Sequence, residues 1–194
     1  MINKSNVYCD GTIWETNNHG QVEVIGMSPR VSQKRGKDYI GRFFYVKFKD
    51  GTIVEANISS LKNGEVRNPN KPTGIKDCFI GQGIYCSKIK GKKTDNYKLW
   101  SAMTQRVYSE SYHKKYPSYK NCTLSVDWHN YQKFSEDIRD IEDYELWVKD
   151  PHNYHLDKDI KVKGNKHYSK ENCLFVTSKE NIAHSNRSRH EHKG

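Results

Sequence analysis

Side chains that can do chemistry concentrate in one stretch of this sequence. Between His155 and Asn181 the chain places carboxylates, imidazoles, amides and lysines close together. Carboxylate and amide oxygens are the donors that hard divalent cations prefer, and an imidazole exchanges protons near neutral pH. The stretch therefore has the residue types for binding a cation and for acid–base catalysis.

The same stretch predicts two strands and a helix. A short strand carries Asp157, a Gly-Asn turn follows, and a second strand covers Cys173–Val176. Thr177 and Glu180 then form a T-x-x-E capping box, which is typical of the first turn of a helix. We therefore expect the order strand, loop, strand, helix over residues 154–186.

This pattern resembles the HNH nuclease superfamily, also called the ββα-metal or His-Me finger superfamily. The sequence Asp-x-(loop)-x-Glu-Asn-Cys-Leu-Phe-Val-Thr-x-x-x-Asn is similar to the finger of phage and bacterial HNH proteins, including homing endonucleases. Two upstream segments look like the helices that precede the finger in one phage HNH group. They contain Tyr97, Trp100, Met103 and Arg106 in the first segment, and Asp127, Trp128, Tyr131 and Phe134 in the second.

The resemblance implies a metal site and a reaction. At matching positions, Asp157 is the first metal ligand, Asn181 is the second, and Asn172 braces the loop and orients the catalytic base. The implied cofactor is Mg²⁺ or Mn²⁺, and the implied partner is double-stranded DNA. A hard cation would neutralise the charge that develops when a phosphodiester bond is hydrolysed.

The identity of the general base stays open. The position directly after the first ligand normally holds histidine in this family, and here it holds Lys158. An unperturbed lysine is ~4 pKa units more basic than a histidine. We therefore expect Lys158 to contact the phosphate or the transition state. His155, on the same strand face as Asp157, and His167, in the loop before the second strand, are two alternative bases.

The charge distribution favours a polyanionic partner. The chain has 33 Lys+Arg against 23 Asp+Glu, a net charge of +10. Residues 86–120 carry 9 basic and 2 acidic side chains, residues 161–194 carry 8 and 3, and residues 127–150 reverse the sign with 3 and 8. Basic faces interleaved with aromatic residues suit nucleic acid. The candidate contacts to nucleic acid are Lys88, Lys90, Lys92, Lys93, Arg106, Lys114, Lys115, Lys166, Arg187 and Arg189.

We predict the α+β class and two domains. Short alternating strands and the Asp50-Gly51 hairpin signal in residues 1–74 indicate a small SH3-like or Tudor-like β-barrel. The segment Asn68–Gly74 has linker composition and marks the boundary. Residues 75–194 would form the HNH-like domain. It comprises a short β segment at Ile80–Ile89, helices at 95–110 and 127–141, the finger at 154–186 and a basic tail at 187–194.

Several classes of protein and site are disfavoured. The spacing of the five cysteines includes no C-x-x-C pair, so we expect no zinc site or disulfide framework, and instead buried reduced thiols. No stretch approaches the ~18 apolar residues of a membrane span, so we expect no membrane partner. The resemblance implies a cytoplasmic phage protein in a bacterial host cell.

Three functions remain open at this stage. The first is a metal-dependent DNA endonuclease or nickase. The second, motivated by Lys158, is a catalytically degenerate HNH fold that binds DNA or RNA. The third, motivated by the small barrel and the acidic segment 127–150, is a phage protein-interaction module that antagonises a host enzyme. No heptad pattern decides between a monomer and a homodimer.

Overall fold

A computed structural model describes residues 10–30, 32–34, 37–39, 42–72 and 75–191, without the side chains of 32–34, 37–39 and 188–191. The chain divides into two compact units, one ending at Lys71 and the other beginning at Pro72. This division lies within the linker segment that the sequence predicts. Strands and helices both occur, so the predicted α+β class is confirmed.

The first unit is built around one antiparallel sheet. Its elements are β1 (Ile13–Thr16), β2 (Gly20–Met27), β3 (Ser32–Lys34), β4 (Lys37–Tyr39), β5 (Phe43–Phe48), β6 (Ile53–Asn57) and α1 (Ile58–Lys62). The sheet has the order β1-β2-β5-β6, while β3 and β4 pair with each other. The predicted hairpin at Asp50-Gly51 joins β5 to β6 and is confirmed. Gly51 has φ of +85°, which glycine adopts at no steric cost.

The prediction of a closed barrel is wrong for the described residues, because their four-stranded sheet stays open. Phe44, Val46 and Phe48 alternate along β5 and are buried on one face of this sheet. A short helix covers that face instead of further strands. Leu61 of α1 and Val66 after it pack into the same core as the sheet residues.

The second unit combines several helices with short strand pairs. Its elements are β7 (Lys88–Ile89), β8 (Lys92–Lys93), α2 (Asp95–Tyr108), α3 (Glu110–Lys115), β9 (Thr123–Leu124), α4 (Tyr131–Asp137), α5 (Tyr144–Lys149), β10 (Tyr154–Asp157), β11 (His167–Tyr168), β12 (Leu174–Thr177) and α6 (Ser178–Glu191). Of the segment 80–89, where the sequence predicts β structure, only the last two residues are in a strand. The predicted helix at 95–110 corresponds to α2, which ends at Tyr108, where Ser109 caps a new helix.

The single helix predicted at 127–141 is interrupted. A 3₁₀ turn covers Val126–His129, α4 follows, and a second 3₁₀ turn covers Ile138–Asp140. The interruption has a local cause, because Asn130 caps α4 by accepting a hydrogen bond from the backbone N–H of Gln132. The aromatic and aliphatic side chains that recur at helical spacing through this segment are nevertheless buried, namely Trp128, Tyr131, Phe134, Ile138 and Ile141.

This aromatic core holds the C-terminal strands in place. The indole of Trp147 on α5 stacks on Phe175 of β12, with ring centroids 5.2 Å apart. Phe175 is fully buried, and its backbone N–H donates to the carbonyl oxygen of Glu142. Stacked aromatic rings with main-chain hydrogen bonds define the position of a strand closely. The edge of β12 is therefore a rigid support for what lies beside it.

Cysteine burial agrees with the sequence in part. Cys78, Cys122 and Cys173 are buried free thiols, as predicted, whereas Cys86 is exposed, contrary to the prediction. Cys86 follows an irregular segment and supplies its carbonyl oxygen to the hydroxyls of Thr94 and Tyr131. Cys9 lies outside the described residues. Within the described ranges, no helix combines the length and the apolar character needed to cross a membrane.

Candidate functional site

The candidate site is built on an antiparallel strand pair followed by a helix. β10 pairs with β12 so that His155 faces Val176 and Asp157 faces Leu174 in the register. The predicted capping box at the start of α6 is confirmed. The N–H of Thr177 donates to Glu180, and the N–H of Glu180 donates to Thr177 Oγ1 at 3.2 Å. This reciprocal pairing fixes the angle at which α6 leaves the strand.

The loop between the strands is tied together by Asn165. Its amide group donates to the carbonyl oxygens of Lys158, at 2.7 Å, and His167, at 2.8 Å. Its Oδ1 accepts from the backbone N–H of His167. The preceding Gly164 has φ of +76°, which allows the turn. Asn165 thus holds the two ends of the loop together, a role that the resemblance assigns to Asn172.

A cavity of about 600 Å³ lies between β10, α6, α2 and the 3₁₀ turn at Pro117–Tyr119. Its wall contains six of the predicted site residues: Arg106, His155, Asp157, Lys158, Lys166 and Asn181. It also contains residues that the sequence analysis does not single out: Ser118, Tyr119, Leu156, Asp159, Tyr168, His184 and Ser185. The structure therefore brings together side chains from three separate parts of the second unit.

Two carboxyl groups lie side by side in this cavity. Oδ1 of the buried Asp157 accepts the backbone N–H groups of Asp159 and Ile160, both at 2.8 Å. Burial raises the pKa of Asp157, and its hydrogen bond with the Asp159 carboxyl raises it further. Burial alone would raise the pKa of Asp159, but the hydrogen bond from Asp157 and the nearby Lys158 together lower it. The two carboxyl groups are therefore coupled, and a bound cation would favour the ionised form of Asp157.

Lys158 is a buried cation held by rings and a carboxylate. Its ammonium lies 5.7 Å from the ring centroid of Tyr119 and 5.4 Å from that of Tyr168. Its Nζ is 3.4 Å from Oδ2 of Asp159, and the side chain is 6% exposed. The cation–π contacts and the ion pair both hold the ammonium in place. This environment fits a fixed positive charge in the cavity wall.

Arg106 contributes a second fixed charge from α2. Its guanidinium lies 5.8 Å from the ring centroid of Tyr119. Burial alone would lower the pKa of Arg106, but interactions with Tyr168, Tyr119 and Tyr112 together raise it. The ion pairs formed among the described residues do not include Arg106. A half-buried guanidinium that pairs with no carboxylate among the described residues is ready to bind an anion. The natural anion for its forked donors is a phosphate or a carboxylate.

His155 has a defined orientation on β10. Its Nε2 is 2.9 Å from Ser178 Oγ, and the hydroxyl proton of Ser178 is donated to the carbonyl oxygen of Asn153. The serine oxygen therefore accepts from Nε2–H, and Nδ1 carries the lone pair of the neutral ring. Burial lowers the pKa of His155, and the positive charge of Arg106 lowers it further. Both effects favour the neutral imidazole, which can accept a proton.

The other proposed base and the bracing asparagine lie outside the cavity wall. His167 Nδ1 is 2.9 Å from Thr123 Oγ1, where β11 runs parallel to β9. Asn172 makes a long contact of 3.5 Å to the carbonyl oxygen of His167. The cavity is lined by neither side chain. Of the two histidines, only His155 is therefore placed beside the candidate metal ligands.

The basic residues predicted to contact nucleic acid fall into separate groups. Lys88, Lys90, Lys92 and Lys93 are exposed on the β7–β8 hairpin. Lys114 and Lys115 are exposed at the end of α3, and Arg187 is exposed on α6. Lys166 reaches the cavity and donates to the carbonyl oxygen of Ser118. The side chain of Arg189 lies outside the described residues.

Two of the cavity residues that were not predicted, His184 and Asp159, could have been found from their spacing in the sequence. His184 lies three residues after Asn181 on α6, which places both on one helix face, and both line the cavity. Asp159 lies two residues after Asp157 and adds the second carboxyl. Tyr119 and Tyr168 have no such signal, because their partners are far away in the sequence. Those contacts depend on how α2 and the finger pack together.

The comparisons with known proteins give no match for this chain. Neither a protein-family model, nor a curated protein, nor a solved structure matches this chain. Among the described residues, no group of three or more His, Cys, Asp and Glu side chains lies close enough to hold a metal ion.

Proposed function

We propose that this chain is a metal-dependent DNA endonuclease or nickase of the HNH type. The observation that carries the proposal is the single cavity in which Asp157 and Asn181, from the strand and helix of a strand–strand–helix unit, meet the cations of Arg106 and Lys158. Oxygen ligands beside fixed positive charges are what a phosphodiester substrate and its cation require. The resemblance to the HNH finger assigns the same two residues as ligands.

The donor set fits a hard divalent cation. Asp157 offers a buried carboxylate whose Oδ1 is oriented by two backbone N–H groups, and Asn181 offers an amide oxygen. Mg²⁺ commonly binds one or two protein oxygens, with water and substrate phosphate completing its shell. When bound, such a cation supplies charge neutralisation at the phosphate and lowers the pKa of a coordinated water.

The side chains of the protein itself would bind the phosphate and move a proton. Arg106 presents its guanidinium and Lys158 its ammonium to the cavity, so both would hold the non-bridging oxygens of a phosphodiester. The neutral imidazole of His155 would accept a proton from the attacking water through Nδ1. The hydrogen bond from Nε2–H to Ser178 holds the ring in that tautomer.

The lysine hairpin supports a DNA partner outside the cavity. Lys88 and Lys93 face each other across the β7–β8 pair, with Lys90 and Lys92 at and beside the turn. Like charges opposite each other destabilise a strand pair. A neighbouring phosphate backbone would relieve this repulsion, so the hairpin is suited to contact a polyanion.

The experiment is a plasmid cleavage assay with the full chain. We expect supercoiled DNA to be nicked or linearised with Mg²⁺ or Mn²⁺, and this activity to disappear with EDTA or in the Asp157→Asn variant. Asp127→Asn makes the same chemical change at an exposed position and should keep the activity. Cleavage by Asp157→Asn at the wild-type rate would contradict the proposal.

A second function is favoured by one observation at the same site. Lys158 occupies the position after Asp157 and is bound to Asp159 and two tyrosine rings, so it does not supply the missing histidine. A finger without an effective base would bind nucleic acid without cutting it. Salt-sensitive gel shifts, together with no cleavage across Mg²⁺, Mn²⁺, Co²⁺ and Ni²⁺, would establish this alternative.

A further inference from the structure

Three tyrosines form a connected surface beside the candidate site. Tyr112 lies 4.7 Å from Tyr116 and 5.6 Å from Tyr119, measured between ring centroids. We call these three residues the tyrosine ledge. Tyr119 lines the cavity and packs against the core of the second unit, whereas Tyr116 is 41% exposed. The ledge therefore leads from the wall of the cavity to solvent.

The backbone holds the ledge in one arrangement. α3 ends at Lys115, and the N–H of Tyr116 donates to the carbonyl oxygen of Tyr112. Pro117 then begins a 3₁₀ turn, in which the N–H of Tyr119 donates to the carbonyl oxygen of Tyr116. Proline fixes its own φ and restricts the residue before it. The ring of Tyr116 is consequently presented outward at little cost in conformational entropy.

Core packing does not explain the two outer rings. The buried core of the second unit contains Trp100, Trp128 and other rings, and Tyr119 packs against it. Tyr112 is half-buried, and hydrogen bonding with its hydroxyl is one of the causes that raise the pKa of Arg106. This bond joins the ledge to the guanidinium that we propose binds phosphate. The ledge and the anion-binding wall are thus one continuous surface.

The charge around the ledge is positive. Residues 110–120 contain Lys114, Lys115 and Lys120 against Glu110, a net charge of +2. The ammonium of Lys115 lies 5.3 Å from the ring centroid of Tyr116. Because Lys115 is exposed, its side chain can rotate from the ring towards a phosphate when another planar group takes its place. Aromatic rings among exposed lysines are the pattern of single-strand binding surfaces.

We propose that Tyr116 stacks on an unpaired base of a DNA single strand whose phosphate enters the cavity at Arg106. The inference rests on the proposed function, and it specifies the substrate as DNA with an unpaired strand next to the bound phosphate. In a duplex the base faces are already covered by neighbouring bases, so a protruding tyrosine finds a partner only where the strand is open. Lys115 and Lys120 contact the backbone of the same strand.

The test measures binding in EDTA, where no cleavage occurs. Fluorescence anisotropy of a labelled single strand of about 16 nucleotides, and of the same strand in a blunt duplex, is compared for wild-type protein, Tyr116→Ala and Tyr116→Trp. We expect Tyr116→Ala to weaken single-strand binding by about fivefold or more, as removal of one stacking ring does. Duplex binding should be unchanged, and Tyr116→Trp should bind the single strand at least as tightly as wild type.

The matched control is Tyr45→Ala, because Tyr45 is 40% exposed on β5 of the first unit and has no ring partner among the described residues. It should change single-strand affinity by less than about twofold, as an exposed substitution without a role does. Melting curves of both alanine variants should match that of wild type.

Each result of the binding comparison either supports or overturns base stacking by Tyr116. Equal loss of single-strand and duplex binding in Tyr116→Ala would overturn base stacking, and so would unchanged single-strand binding. Either result, obtained while the plasmid assay still shows Mg²⁺-dependent cleavage, leaves the proposed function intact. Failure of wild-type protein to bind either DNA form would overturn both proposals.

Discussion

Replacing each of the two candidate histidines separates catalysis from structure. His155 and His167 both belong to the strand–loop–strand segment, both are half-buried, and each makes one side-chain contact of 2.9 Å to a hydroxyl, of Ser178 and Thr123 respectively. Only His155 lines the cavity. The His155→Ala and His167→Ala variants should therefore lose similar stability but differ in activity.

The two magnitudes follow from the contacts. Loss of one net hydrogen bond costs about 0.5–1.5 kcal/mol of unfolding free energy in either variant. Loss of a general base lowers the rate by about 10²- to 10⁴-fold, which corresponds to about 2.7–5.4 kcal/mol of transition-state stabilisation. We expect this rate loss in His155→Ala and less than about a threefold loss in His167→Ala, since the latter acts through stability alone.

The assay is single-turnover nicking of supercoiled plasmid with Mg²⁺, at saturating protein, beside chemical denaturation of each variant. Saturating protein removes differences in DNA affinity, and denaturation shows whether the two stability losses are comparable. Equal rates for the two variants would refute the assignment of His155. A His167→Ala variant that is inactive but as stable as His155→Ala would assign the base to the other histidine.

Three further predictions concern the cavity charge, the loop and the hairpin. Lys158→Met keeps the apolar stem but removes the ammonium, so DNA affinity should fall about tenfold. The slope of the logarithm of the binding constant against the logarithm of the salt concentration should become shallower by about one unit. An unchanged slope would contradict a phosphate contact. Asn165→Ala removes three hydrogen bonds within the loop and should lower the free energy of unfolding by about 2 kcal/mol, measured by urea titration. A loss below about 0.5 kcal/mol would show that other contacts hold the loop. Replacing Lys88 and Lys93 together by Gln should make the slope of log binding constant against log salt concentration shallower by about 1.8 units. The free energy of unfolding should stay the same or rise slightly, because a repulsive cross-strand pair is lost.

Local signals in the sequence predict the parts of the site that are formed by local contacts. The capping box at Thr177 and Glu180 acts over three residues, so the start of α6 could be predicted from those residues alone. The alternation of β5 and the helical period of Trp100, Met103 and Val107 likewise predict burial. In these cases each residue needs only its near neighbours to define its structure.

The errors in the sequence predictions arise where a local competitor or a distant partner decides the outcome. Asn130 starts a new helix and so interrupts the apolar pattern that suggests one helix from 127 to 141. The barrel fails because α1 covers the open face of the sheet, and no periodic signal marks so short a helix. Tyr119 joins the cavity through packing against residues about 40 positions away, which a single sequence does not reveal.

The electrostatics of the cavity assign the proposed DNA binding and the proposed DNA cleavage to different residues. Arg106, Lys158 and Lys166 bring three positive charges to the cavity wall, against the two carboxyl groups of Asp157 and Asp159. The net charge is positive even with no cation bound, so a phosphate is attracted whether or not hydrolysis follows. Hydrolysis additionally requires a group that accepts a proton from the attacking water. We assign this role to His155 because its ring is oriented by the hydrogen bond from Nε2–H to Ser178, which leaves Nδ1 to accept the proton. The comparison of His155→Ala with His167→Ala tests that assignment.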